Sequence, residues 1–176
     1  MGSGRHMSYH VPRMDERQSR AWLSLVWTAE LLPAALDAQL RADWGLTHFE
    51  FMVLSTLQQA QGGMLRTKDL AESVNATLPR LSRVAGKLEE RGLVVRSSDD
   101  GDARVVHVGL SREGRRALVR AIPSHIALVK DLVIDRLTPD ELDALIGVLE
   151  PLVARLDPQN RVGFTAAAHA PRAPRA

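Results

Sequence analysis

The stretch from Thr67 to Gly114 constrains this chain more than any other part of it. Two short helix-forming segments stand there, separated by Asn75-Ala76, a pair suited to a tight turn. Thr67 is placed to cap the first, from Lys68 to about Val74, with Asp69 in its first turn. Thr77 is placed to cap the second, which is expected to run to Arg91. Pro79 lies in its first turn, where a missing amide proton costs little, and Gly92 supplies a left-handed stop. Leu93 to Arg96 and Arg104 to Leu110 read as the strands of a β-hairpin, with Ser97 to Ala103 as a polar turn centred on Gly101.

That order is the order of a winged helix-turn-helix, in which the second helix enters the major groove of DNA with its N-terminal residues forward. Here that helix carries Thr77, Leu78, Pro79, Arg80, Ser82, Arg83 and Lys87. Arg80, Arg83, Lys87 and Arg91 follow steps of three and four and share one face, while Leu81, Val84, Ala85 and Leu88 form the opposite, apolar face. An arginine on such a face can read guanine or hold phosphate, and the Thr77 hydroxyl and the first free amides can also take a phosphate. A basic helix face by itself more often only meets solvent; the hairpin beside it shifts the balance toward nucleic acid. Thr67 and Arg96 are further candidate DNA-binding residues.

The flanks are helical in period. Apolar residues from Asp15 to Arg41 recur at Trp22, Leu25, Val26, Ala29, Leu32, Leu36 and Leu40, with Pro33 expected to kink or break the helix near Leu32. Thr47-His48-Phe49-Glu50 is a capping box opening a helix to about Ala60, which Gly62-Gly63 ends. Ser111 can cap a helix from Arg112 to Arg136 with a kink at Pro123, and Thr138-Pro139-Asp140-Glu141 opens a last helix to about Leu156. The fold expected is mainly α with a small β-hairpin wing: a winged helix-turn-helix domain plus a helical dimerisation domain. The first helix and the two after the hairpin carry more apolar surface than a monomer of this size could cover, which points to a C2 dimer.

Charge bears on the partner only through its placement, because the formal net charge is +2 although the pI is about 9.5. There are no cysteines, so disulfides, thiolate zinc sites and thiol-based oxidation sensing are excluded. No apolar run approaches the length of a membrane span, no secretory leader is expected, and a cytoplasmic location fits. Residues 1–6 read as a cloning remnant and residues 158–176 as a loose basic tail. The six histidines lack metal-ligand spacing, and no nucleophile elbow, Walker loop or GxGxxG is present; neither a metal, a cofactor nor an enzyme is expected. The pairs Glu89-Glu90 and Asp99-Asp100 are explained by solvation.

Asp102-Ala103-Arg104, five residues, then Leu110-Ser111-Arg112-Glu113-Gly114 resembles the wing signature of the MarR family of bacterial transcriptional regulators. Leu88-Glu89-Glu90-Arg91-Gly92-Leu93-Val94 is similar to the end of that family's recognition helix. The resemblance implies a homodimer in which residues 15–46 and 115–157 interlock as the dimerisation part, while residues 47–114 of each copy read half of a pseudo-palindrome in double-stranded DNA. A ligand-responsive repressor is the expected role; the alternative is a winged-helix protein-interaction module. Arg104 corresponds to a wing-tip arginine that enters the minor groove, and Asp102 to an acidic residue that orients arginine near the wing. A narrow minor groove attracts arginine, and an Asp two residues away on the same strand would share its face, although Asp102 can also be a plain turn-former. The resemblance further implies a small aromatic or anionic effector between the dimerisation and winged parts. Trp22, Trp27, Trp44, His48, Phe49 and Phe51 lie on elements that should line such a pocket, with burial in the core as the competing role for the tryptophans and plain exposure for His48.

Overall fold

A computed structural model of the chain describes residues 10–99, 101, 102 and 105–163. Helix α1 runs from Glu16 to Trp44 and opens on a capping box that the sequence reading did not use: Asp15 accepts from the Gln18 amide at 2.7 Å, and the Gln18 side chain accepts from the Asp15 amide at 3.0 Å. Pro33 does not break α1, which continues past it for eleven residues to Trp44. Gly45, with φ +62°, ends it.

Helix α2, His48–Gln59, opens on the expected Thr47–Glu50 box. A single 3₁₀ turn over Gln61–Gly63 leads into strand β1, Met64–Arg66, which the sequence reading missed. Three residues are too few to show a period of two. Helix α3 spans Thr67–Ser73 and α4 spans Leu78–Glu90, with Asn75 between them at φ +47°. Strands β2, Val94–Ser98, and β3, Val106–Leu110, form the hairpin; both begin later than expected. The sheet order is β1-β3-β2, antiparallel throughout, pairing Leu65 with Val108 and Arg96 with Val108.

Helix α5, Arg112–Leu132, passes Pro123 unbroken and stops short of the expected Arg136, where a separate 3₁₀ turn covers Ile134–Arg136. Helix α6, Pro139–Leu156, carries the expected Thr138–Glu141 box.

The apolar face of α4 enters the core as its period requires: Leu81, Ala85 and Leu88 are fully buried, with Val84 packed at the edge. They meet Leu54, Leu57, Leu70, Val94 and Val108, and the same cluster reaches back to Leu40 of α1 and forward to Leu118 and Ala121 of α5. The winged region and the near ends of α1 and α5 thus share one core. Gly114, in the first turn of α5, lets that helix approach the hairpin; a Cβ there would stand 1.9 Å from the Leu93 carbonyl oxygen. Helix α6 has no buried residue. Among the described residues, no helix is long and apolar enough to cross a membrane.

Candidate nucleic-acid interface

Burying Leu81, Ala85 and Leu88 turns the other side of α4 outward, because side chains three and four apart share a face. Leu78, Pro79, Arg80, Ser82, Arg83 and Lys87 are all exposed, Leu78 by 49%. Among the described residues, Arg83 and Lys87 have no ion-pair partner, so their charge is not spent within the chain. Thr77 occupies the N-cap position with extended backbone, but its side chain makes no capping hydrogen bond, contrary to expectation. The hydroxyl is left for an outside group.

The two other cations of the expected basic face are engaged inside the chain. Arg91 turns from the face toward α2: Nη1 lies 3.3 Å from Glu50 Oε2, and Nη2 donates to the Gly45 carbonyl at 3.1 Å. The Arg80 guanidinium carbon lies 4.1 Å from the centroid of the Phe49 ring.

Arg96 on β2 is also held. Its Nε and Nη2 bond Glu89 Oε2 at 2.7 and 2.6 Å, and its backbone amide donates to Glu89 Oε1 at 3.2 Å. Hydrogen bonds from Arg96 hold the Glu89 carboxyl below its usual range. Glu89 is therefore a clamp between recognition helix and wing rather than a merely solvated carboxylate. No sequence period announces a pair that joins a helix to a strand. Arg96 lines a cleft of about 510 Å³ between α3, α4 and the hairpin, with Arg66, Lys68 and Ser82 on its other walls.

Thr67 does not cap α3; it is that helix's first residue, and Arg66 holds the N-cap position. Its hydroxyl instead donates to the Val106 carbonyl at 2.7 Å, tying α3 to the wing. Asp102 is not on a strand either, since β3 begins at Val106. It lies in the turn, where its carbonyl accepts from the Val105 amide at 2.8 Å. Arg104 lies outside the described residues.

The residues expected to gather around an effector are dispersed. Trp22 and Trp44 are 22 residues apart on α1, hence about 33 Å along its axis. Trp22 and Trp27 are half-exposed, at 48% and 50%, so neither is core within one chain. Trp27 lines a groove of about 840 Å³ with Leu23, Leu31, Leu32, Leu132 and Val133, none of which belongs to the winged region.

Trp44, His48 and Phe49 lie at the opposite end. The Trp44 indole donates to Ser124 Oγ at 2.9 Å, and the His48 amide donates to Asp37 Oδ1 at 2.8 Å. His48 is half-buried rather than exposed, with its ring 6.0 Å from that of His125, which in turn lies 4.4 Å from Phe51. Burial pushes both imidazoles below the usual histidine range; Asp37 opposes this at His48, and His48 adds to it at His125. His125 Nδ1 and Gln39 Oε1 are buried here without a hydrogen-bond partner.

The MarR family model matches residues 46–106. The chain is 27% identical to the transcriptional repressor MprA of Escherichia coli K12 over 119 residues, covering 68% of this chain and 67% of that protein. Among solved structures it resembles Sco3205, a MarR family transcriptional regulator from Streptomyces coelicolor in complex with DNA. The TM-score is 0.78 at 32% identity, over 85% of this chain and 94% of that one. AbsC, a MarR family regulator from the same organism, matches with a TM-score of 0.77 at 27% identity, over 84% of this chain and 99% of that one.

Proposed function

This chain belongs to the MarR family and is a DNA-binding transcriptional regulator, and from that premise we propose that it is a cytoplasmic, ligand-responsive repressor that binds a pseudo-palindromic operator as a homodimer. The observation that carries the dimer is α6. Its apolar residues Leu145, Ile146, Val148, Leu152 and Leu156 are exposed, and no residue of the helix is buried. An exposed apolar helix of this length is stabilised by covering it, and the exposed Trp22, Leu25 and Leu31 of α1 offer a surface of the same kind on a second copy. In this reading residues 15–46 and 115–157 dimerise, and residues 47–114 face DNA.

Each copy then offers Arg83 and Lys87 to a major groove, with Leu78, Pro79 and Ser82 at the leading end of α4 and the Thr77 hydroxyl available to a phosphate. Arg104 is assigned to the minor groove and Asp102 to its orientation on the family resemblance. Thr67 and Arg96 serve by holding the wing to the helices. Repression comes from the likeness to a repressor. An aromatic or anionic effector that prefers one spacing of the two recognition helices would shift the population toward it. The unpartnered Gln39 and His125 atoms make the junction of α1, α2 and α5 the place to look for its effect.

The test is light scattering together with DNA-binding titrations at two salt concentrations. A dimer is expected at micromolar protein, as is an affinity that falls steeply with salt. A monomer that binds specific DNA with full affinity overturns the homodimer.

A further inference from the structure

The contact between Arg80 and Phe49 joins the first turn of the recognition helix to the first turn of α2. An exposed arginine is ordinarily a loose side chain. Here the guanidinium carbon lies over an aromatic ring, 4.1 Å from its centroid, and among the described residues the group makes no hydrogen bond or ion pair. With no hydrogen bond or ion pair made within the chain, the N–H donors of the guanidinium remain available to a phosphate or a base edge.

The ring itself stands on a turn anchored from several sides. Thr47 and Glu50 bond each other's backbone amides at 3.0 and 2.8 Å, Glu50 also holds Arg91, and the His48 amide is tied to Asp37 of α1. Phe49 is half-buried against the core, so it cannot follow Arg80 if that side chain wanders.

We propose that Phe49 is a positioning residue for DNA binding: it does not touch DNA but seats Arg80, so that the guanidinium meets the duplex already oriented. Pre-orienting a mobile group before binding removes part of the ordering cost from the binding step. The inference rests on the reading of α4 as the helix that faces DNA.

The test is a double-mutant cycle on the full chain, read by fluorescence anisotropy with the duplex that the parental protein enriches from a randomised library. Arg80→Ala is expected to weaken binding. Phe49→Leu is expected to weaken it about two- to fivefold per half-site, the range of an exposed cation–π contact. Phe49→Tyr, which keeps a ring, is expected to bind like the parent. In the Arg80→Ala background, Phe49→Leu is expected to add nothing, which a merely structural role for Phe49 would not produce. Thermal unfolding accompanies each titration, and Phe49→Met replaces Phe49→Leu if the latter is unfolded at the assay temperature. An equal Phe49→Leu loss with and without Arg80 overturns the proposal, as does a Phe49→Tyr loss as large as that of Phe49→Leu. Parental affinity in Arg80→Ala shows that Arg80 is no DNA contact and overturns the reading of that residue as well. Weak binding in Arg80→Ala with none lost in Phe49→Leu overturns the positioning role alone.

Discussion

Helix α4 and helix α6 have similar apolar spacing and opposite fates. Leu81, Ala85 and Leu88 of α4 follow steps of four and three and are buried under α2, α3 and the hairpin. Val148, Leu152 and Leu156 of α6 follow steps of four and stand exposed, Leu156 by 80%. Periodicity states that a face is to be covered and is silent on what covers it. In the winged region the chain supplies the cover itself. In the outer helices the cover is assigned to a second copy, which makes the two regions separable by mutation.

The largest expected effect comes from α6. Val148→Arg with Leu152→Arg is expected to leave the winged core folded, because no α6 residue belongs to it. The pair should give a monomer in light scattering and cost about 10²–10⁴-fold in operator affinity through loss of bivalent attachment. A dimer that survives both charges would break the contrast between the two helices.

Gly114→Ala tests the other region. The added Cβ would meet backbone at 1.9 Å, and backbone cannot swing aside as a side-chain end can. A loss of about 3 kcal/mol is expected in denaturant unfolding, from overpacking against the hairpin. Unchanged stability would mean that α5 and the wing are not in fixed contact.

Arg83→Ala sharpens the comparison at the exposed face of α4. With no partner among the described residues, Arg83 should contribute little to folding. Its loss is expected to cost about 1–3 kcal/mol of specific binding per half-site if it reads a base edge. Equal losses on operator and random duplexes would make it a phosphate contact.

The smallest effect is expected from pH. His48 and His125, at the junction of the two regions, have folded-state pKa values lowered from 6.5, chiefly by burial. The unfolded chain therefore binds protons first on acidification. Stability contributed by the neutral imidazoles is present above about pH 6.5 and is lost as pH falls through and below that value. Thermal melts between pH 7.5 and 5.5 should show the decline, and His125→Leu should flatten it. A slope unchanged in His125→Leu would place the titration elsewhere.

Local rules were legible before any coordinate. The Thr47 and Thr138 capping boxes, the Ser111 cap, the turn at Asn75 and the burial of one face of α4 follow from contacts within a few residues or from a simple period. Local rules also leave room for proline inside a long helix. Pro33 and Pro123 remove one helical hydrogen bond each, but the long helices around them persist through the remainder. Strand β1 escaped notice because it exists only as the partner of β3.

What the sequence by itself determined is the order of elements and the face each helix must hide, since backbone preferences and side-chain period act over a turn or two. Only the tertiary structure decided which cations remain available. Arg80, Arg83, Lys87, Arg91 and Arg96 look alike as letters, yet Glu50 and Glu89 pair with Arg91 and Arg96, Arg80 rests over Phe49 with its N–H donors unpaired, and Arg83 and Lys87 have no ion-pair partner among the described residues. Those partners lie up to 41 residues away along the chain. An ion pair or a stacked ring depends on distances of a few ångströms in space, and no spacing along the chain encodes them until the helices have packed.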